Sequence, residues 1–80
     1  MHRDEIKKLI EAGLPGAQAT VSGEDGAHFE AIVIYAGFEG KNMLQQHRMV
    51  YDTLGGRMQS GEIHALSLRT YTAAQWQGQQ

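Results

Sequence analysis

Two strand-like segments on either side of one long helical segment constrain the fold of this chain more than any other feature. Residues 29–35 and 63–71 are rich in β-branched, aromatic and other apolar side chains, which is typical of strands. Between them, apolar residues recur every three or four positions and predict a helix from Lys41 to about Met58. If both strands join one sheet, the crossover is right-handed and the strands are parallel. Their first residues then lie at the same end of the sheet.

One face of the predicted helix carries the residues that should pack into the core. These residues are Leu44, His47, Tyr51, Leu54 and Met58. Gly55 and Gly56 interrupt the pattern, because each glycine costs a helix about 1 kcal/mol relative to alanine. The sequence leaves two possibilities open: the helix ends at the glycine pair, or it continues under strain towards Met58.

Three shorter elements complete the predicted order. Asp4–Ala12 has helical spacing, Ala19–Ser22 is strand-like, and Thr72 can cap a last short helix. The order is therefore α-β-β-α-β(-α), an α+β fold in which helices cover one face of a three-stranded mixed sheet and leave the other open. The first two strands are close enough to form an antiparallel hairpin. We expect a single domain, residues 1–80, in which the polar residues 77–80 form a frayed tail.

The composition excludes several classes of site and partner. The chain has no cysteine, so disulfides, thiolate catalysis and metal sites with its own cysteine ligands are excluded. Its formal net charge of −2 gives no general attraction to nucleic acid or anionic lipid, although residues 41–80 are mildly basic. No apolar run approaches the roughly 20 residues that span a bilayer, and the N-terminus does not resemble a signal peptide. We therefore expect a cytoplasmic protein with no membrane contact.

Two histidines stand where the parallel-strand argument brings the chain together. His28 lies at the start of the second strand and His64 at the start of the third, so we expect both imidazoles at one end of the sheet. Neighbouring imidazoles could form half of a metal site. The alternative is structural: strand side chains alternate between faces, so His64 would share the core-facing side of Leu66 and Leu68, and spacing alone favours this interpretation. His47, on the apolar face of the long helix, is interpreted as a packing residue with one ring nitrogen hydrogen-bonded.

The sequence GFEG, between the second strand and the long helix, is the other candidate site. Gly37 and Gly40 match the G-x-x-G loop that clamps nucleic-acid backbone in KH domains, and Lys41 and Arg48 follow with positive charge. Lys41 would also open the helix, whose N-terminus attracts anions. Against this, Glu39 puts a negative charge where a phosphate would lie. A turn that needs glycine backbone angles is the simpler interpretation.

We do not expect an enzyme. The serines have no evident partner histidine and acid in the sequence, and no nucleophile motif is present. Glu24 and Asp25 are adjacent carboxylates, but their place between two glycines favours a solvated turn. A chain of this size also lacks room for a deep substrate pocket.

Several motifs that follow one another in order resemble a known family. They are the run Gly26–Tyr35, FEGK (Phe38–Lys41), QQHRMVY (Gln45–Tyr51), IHALSLRTYT (Ile63–Thr72) and Trp76. Together they resemble the BolA family, and the chain is most similar to its short, IbaG-like bacterial members. The resemblance extends from about Ser22 to Trp76. One departure is Ala73, which stands where the family commonly has a proline.

The resemblance implies a fold related to class II KH domains and a partnership with monothiol glutaredoxins in iron–sulfur cluster handling. In the family the histidine of the IHA motif is a cluster ligand, and it matches His64. A second ligand, Cys or His, comes from the loop before the second strand, and it matches His28. Some members are described as DNA-binding regulators, through the region that matches Phe38–Arg48.

Ligand chemistry sharpens what the resemblance implies. A [2Fe–2S] cluster needs four protein or thiol ligands, whereas this chain offers no thiolate and at most two suitably placed imidazoles. We therefore expect a [2Fe–2S] cluster shared with a partner glutaredoxin and its glutathione, and none on the isolated chain. The alternative function is a nucleic-acid-binding regulator, with DNA as partner, that uses the Gly37–Arg48 loop and helix.

Overall fold

The computed structural model describes residues 1–78, in which the predicted elements follow one another in the predicted order with one additional short helix. The strands are β1 (Gln18–Ser22), β2 (His28–Ile34) and β3 (Ala65–Tyr71). The helices are α1 (Arg3–Gly13), α2 (Met43–Thr53), α3 (Arg57–Ser60) and α4 (Ala73–Gly78), and a 3-10 turn (Ala36–Phe38) follows β2. None of the helices in this part of the chain is long and apolar enough to cross a membrane.

The sheet is mixed, and its strand order is β1-β2-β3. β1 pairs antiparallel with β2, and β2 pairs parallel with β3, as the short loop and the helical crossover predict. In the parallel pair His28 lies opposite Ala65, and Ile34 lies opposite Tyr71. The starts of β2 and β3 therefore lie at the same end of the sheet, and this arrangement positions the candidate site.

The helices cover one face of the sheet, and the core lies between them. Strand side chains point alternately to the two faces, so alternate residues in the first part of β2 are buried. The buried apolar residues include Ala19, Phe29, Ala31, Val33 and Leu66 on the strands and Ile6, Ile10 and Val50 on the helices. The opposite face carries exposed polar side chains such as Thr20, Glu30 and Ser67. The prediction of one open sheet face is therefore confirmed.

The predicted long helix is two helices. α2 begins directly after Asn42, whose side chain accepts the main-chain N–H of Gln45 at 2.8 Å, while the Gln45 side chain accepts that of Asn42 at 3.0 Å. Lys41 therefore precedes the helix and does not open it. α2 ends before the glycine pair because Gly55 adopts a φ of +60°, which is left-handed and stops a right-handed helix. Of the two possibilities that the sequence leaves open, the first is correct.

The buried face of α2 differs from the predicted one. Leu44 is 60% exposed, whereas Gln46 and Val50 are buried. The polar Gln46 occupies a core position because its amide is hydrogen-bonded at both ends. Its Nε2 donates to the carbonyl of Lys41 at 2.8 Å, and its Oε1 accepts the hydroxyl of Thr70 at 2.6 Å. Apolar spacing therefore assigns Leu54 to the core correctly, but it assigns Leu44 there wrongly and omits the polar Gln46.

α4 begins where the sequence predicts it. Thr72 Oγ1 accepts the main-chain N–H of Gln75 at 3.2 Å, and Gln75 Oε1 accepts that of Thr72 at 2.9 Å, so the two residues form a capping box. The helix includes Gln77 and Gly78, where the polar sequence predicts a frayed tail. The rest of that predicted tail, residues 79 and 80, lies outside the described residues.

A carboxylate of α1 closes the outer edge of β1. Glu11 Oε2 accepts the main-chain N–H of Ala19 at 3.0 Å and the ammonium of Lys7 at 2.6 Å. Lys7 also donates to the carbonyl of Ala19 at 2.9 Å, so both main-chain groups of this edge residue are paired. The N–H of Ala19, followed by Lys7, holds the pKa of Glu11 below its ordinary value of 4.5.

Glu11→Gln is expected to lower the free energy of unfolding by about 1 kcal/mol near pH 7, because a charged acceptor is lost from a partly exposed site. A carboxylate whose pKa is lowered by folding stabilises the protein above its ordinary pKa, and this effect disappears as pH falls through the folded-state pKa. The deficit should therefore shrink at about pH 3. Urea unfolding at both pH values measures it, with the exposed Glu39→Gln as control. A deficit that does not change with pH would contradict the role of the charge.

Candidate functional site

His28 and His64 lie side by side at the end of the sheet where β2 and β3 begin. His28 is the first residue of β2, and His64 directly precedes β3. The main-chain N–H groups of His64 and Ala65 both donate to the carbonyl of Ala27, at 3.0 and 3.1 Å, and so join the two segments. The ring centroids are 6.4 Å apart, and the ring planes are inclined by 44°. The structure therefore brings together the two imidazoles, as the parallel topology predicts.

His64 is exposed, and the prediction that it faces the core with Leu66 and Leu68 is wrong. β3 begins only at Ala65, so the regular alternation of faces does not extend back to His64. Ile63, directly before it, has no exposed surface and occupies the core instead. The imidazole is thus presented to solvent on a main chain that a buried isoleucine and the sheet hold in place.

An acidic side chain orients His28. Asp25 Oδ2 lies 2.7 Å from Nδ1 of His28, while Asp25 Oδ1 accepts the main-chain N–H groups of Ala27 at 2.9 Å and His28 at 2.8 Å. The N–H of His28, followed by that of Ala27 and by the His28 ring, holds the pKa of Asp25 well below its usual range. The sequence predicts only a solvated turn here and misses this contact. The available signal is an aspartate placed shortly before the histidine in a turn, where it can bond to the following main chain.

The two imidazoles fit part of a metal coordination sphere. With metal–nitrogen bonds of about 2 Å, two imidazoles on one ion have ring centres roughly 5 Å apart. Small rotations of these exposed rings would therefore suffice to shorten the observed distance of 6.4 Å between the ring centroids to this value. Within residues 1–78 no group of three or more His, Cys, Asp or Glu side chains is placed to hold a metal ion. The described residues therefore offer two imidazoles at this site and no larger ligand cluster.

A groove lies between α2 and the second half of β3, which is the half farther from His64. It has a volume of about 380 Å³, and the residues that line it include Lys41, Met43, Gln46, His47, Arg69 and Tyr71. Lys41 and Arg69 give the groove positive charge, and Arg69 is a residue that the sequence did not single out. His47 is half-buried here, as predicted, but its ring makes no hydrogen bond within the described part of the chain. The groove is therefore a second candidate surface, separate from the histidine pair.

The GFEG turn needs both of its glycines for structural reasons. A Cβ at Gly37 would overlap the ring of Tyr35, and Gly40 has a φ of +76°, which favours glycine. Phe38, between them, is fully buried and anchors the turn to the core. Arg48 is exposed on α2. The packing of the turn accounts for the two glycines without a bound phosphate, so the G-x-x-G spacing adds little to the nucleic-acid hypothesis.

Most of the chain matches one known family. Residues 11–75 match the family described as BolA-like protein. The chain belongs to the BolA family. The part that matches BolA proteins includes His28, His64 and Asp25, so the candidate site lies within it.

Three BolA proteins illustrate the similarity. The acid stress protein IbaG of Escherichia coli (strain K12) is 33% identical over 76 residues, which are 95% of this chain and 89% of IbaG. The DNA-binding transcriptional regulator BolA of the same strain is 41% identical over 54 residues, 68% of this chain and 50% of that protein. The structure of a BolA homologue from Coxiella burnetii, 46% identical, has a TM-score of 0.85 and covers 96% of this chain and 97% of its own.

These relatives confirm the predicted likeness to short, IbaG-like BolA proteins and the predicted α+β fold. Because IbaG matches nearly the whole chain, the likeness includes both ends of the sheet and both candidate surfaces. The relation to class II KH domains is compatible with the observed order of elements and stays a prediction.

Proposed function

We propose that this BolA-family protein is a non-enzymatic partner of a monothiol glutaredoxin and co-ligates a labile [2Fe–2S] cluster through His64, with His28 as the second contact. The observation that carries the proposal is the pair of exposed imidazoles, with ring centroids 6.4 Å apart, where two parallel strands begin. Histidine is an established ligand of [2Fe–2S] iron in centres where it replaces cysteine. The resemblance of the IHA motif to the family's ligand motif supports the same assignment.

The remaining ligands have to come from the partner. The chain has no cysteine, whereas a [2Fe–2S] cluster takes four ligands. A monothiol glutaredoxin and its glutathione would supply the thiolates, so the cluster is shared cargo that the isolated chain does not hold. Both imidazoles are exposed and therefore accessible to a second protein. Since the cytosol maintains a glutathione pool, we expect the complex to form in the cytoplasm.

A cluster held partly by histidine is expected to be labile. An imidazole ligates only through an unprotonated nitrogen, and imidazoles titrate close to neutral pH, so modest acidification weakens such a bond. Replacement of cysteine by histidine also raises the reduction potential of a [2Fe–2S] centre. These properties suit cluster trafficking, or the sensing of iron or redox state.

The direct test is a titration of a cluster-loaded monothiol glutaredoxin with the wild-type chain. Visible absorption and circular dichroism report the ligands of the cluster, so the spectrum should change until each glutaredoxin has one chain as partner. Size-exclusion chromatography with iron analysis should then find iron in the heterodimer. A spectrum that equals that of the glutaredoxin alone at every ratio would overturn the proposal.

A second candidate function is nucleic-acid binding, and the groove between α2 and β3 favours it. Lys41 and Arg69 line this groove, and Arg48 lies exposed on the same helix. The relative with 41% identity over 54 residues is named a DNA-binding transcriptional regulator. The net charge of −2 and the exposed Glu39 oppose strong binding, so we expect phosphate contacts that are few and sensitive to salt.

Lys41→Ala and Arg48→Ala are expected to weaken this binding for all sequences, and each lost phosphate contact should reduce the slope of log affinity against log salt by about 1. Fluorescence anisotropy with labelled single-stranded and duplex oligonucleotides measures both quantities. Lys8→Ala, an exposed lysine on α1, is the matched control and should leave binding unchanged. Absence of binding to any oligonucleotide at low salt would eliminate this candidate.

A further inference from the structure

The carboxylate of Asp25 is fixed at both oxygens, and one of them meets the ring of His28. Oδ1 accepts two main-chain N–H groups, those of Ala27 at 2.9 Å and His28 at 2.8 Å. With Oδ1 held, Oδ2 is directed at Nδ1 of His28, at 2.7 Å. The turn before β2 thus places a carboxylate against one nitrogen of a candidate ligand.

This contact determines which nitrogen of a neutral imidazole carries the proton. An ionised carboxylate only accepts hydrogen bonds, so the neutral His28 ring must donate from Nδ1. Nε2 then has the free lone pair, which is the form in which imidazole binds a metal. A carboxylate on the second nitrogen also fixes the ring orientation and increases the basicity of the ligand.

The other histidine of the pair has no such support. The His64 ring makes no hydrogen bond within residues 1–78, although its main chain is held by the carbonyl of Ala27. The two imidazoles therefore differ: His28 is oriented in advance, and His64 can rotate to complete the geometry. His64 therefore serves as an internal reference, an imidazole without a carboxylate partner, when the tautomer of His28 is measured.

We infer that Asp25 is a positioning residue, which holds His28 in the tautomer with Nδ1 protonated and Nε2 free to bind the shared metal cluster. This inference rests on the proposed function for the identity of the ligand. The tautomer itself is a property of the isolated chain and can be measured without any partner.

The first experiment measures the tautomer by long-range proton–nitrogen correlation NMR of the isolated chain at about pH 8, where imidazoles are largely neutral. Wild-type His28 should show a protonated Nδ1. In Asp25→Asn the side-chain oxygen can still accept the main-chain N–H groups, but the amide donates towards Nδ1, so the proton should move to Nε2. Glu24→Gln, the neighbouring acid, is the matched control and should leave the tautomer unchanged. Amide NMR spectra establish that each variant is folded.

The second experiment titrates cluster-loaded monothiol glutaredoxin with the Asp25→Asn and Asp25→Ala variants. Loss of such a supporting carboxylate is expected to weaken cluster-dependent association about 10-fold or more. Protonation of Nε2 in wild-type His28, or an unchanged tautomer in Asp25→Asn, would overturn the inference even if the cluster complex forms. Titrations of both variants that equal that of the wild type would also overturn it. Failure of the wild-type chain to alter the cluster spectrum would instead overturn the proposed function.

Discussion

His64→Ala is expected to remove the change in visible absorption and circular dichroism that the wild-type chain produces with a cluster-loaded monothiol glutaredoxin. The substitution deletes an iron ligand, so the loss of cluster-dependent affinity should exceed the roughly 100-fold upper range seen for supporting residues around metal ligands. His64 is exposed, so the fold should be retained and the free energy of unfolding should change by less than about 0.5 kcal/mol. Spectral titration and urea unfolding measure the two effects separately.

His47→Ala is the matched control for this experiment. It removes an imidazole from the same chain, but this residue lies in the groove beside α2, away from the histidine pair. Its titration with glutaredoxin should equal that of the wild type. His28→Ala should weaken the complex as well, since we assign it the second contact. A His64→Ala titration identical to that of the wild type would refute the ligand assignment, even if the two proteins still associate.

Leu54→Ala is expected to lower the free energy of unfolding by about 3 kcal/mol, whereas Leu44→Ala should change it by less than about 0.5 kcal/mol. Both leucines lie on the face that apolar spacing assigns to the core. In the structure Leu54 has no exposed surface and Leu44 is 60% exposed. Removal of the buried side chain leaves a cavity and loses apolar burial, and removal of the exposed one does neither.

Urea unfolding followed by far-UV circular dichroism compares these two variants directly. Because the chemical change is the same, the difference between them reports burial rather than helix propensity. Equal losses of stability would mean that α2 presents the face predicted from apolar spacing, and the described packing of Gln46 against Thr70 would then be wrong.

The juxtaposition of His28 and His64 could be predicted because it depends on chain topology. A strand, a helical crossover and a second strand in one sheet run parallel with one preferred hand, whatever the side chains. The predicted juxtaposition is therefore correct although β3 begins at Ala65, two residues later than the predicted start at Ile63. The same error in the start of β3 misplaces the His64 side chain, because His64 lies before the strand and the alternation of strand side chains does not extend to it.

The orientation of α2 could not be predicted from its own residues. Gln46, on the buried face of α2, is hydrogen-bonded to Thr70, which is 24 positions away in the sequence. A glutamine on a helix is expected to face solvent unless its distant hydrogen-bond partner is known. The bond between Asp25 and the His28 ring is a shorter-range case of the same kind, since an aspartate in a polar turn is usually only solvated.

By itself the sequence determined the order of the elements, the parallel pairing that joins the two histidines, the family and the lack of thiolate ligands. These features depend on the periodicity of apolar residues, on composition and on the nearly invariant right hand of the β-α-β crossover. Each of these is a property of neighbouring residues or of the whole chain. Only the tertiary structure decided that His64 is exposed, that Asp25 holds the His28 ring and that Gln46 lies in the core. Burial and the bond between Gln46 and Thr70 depend on where separate segments meet in space, and the bond between Asp25 and His28 depends on the backbone conformation of one turn; residue patterns alone determine neither.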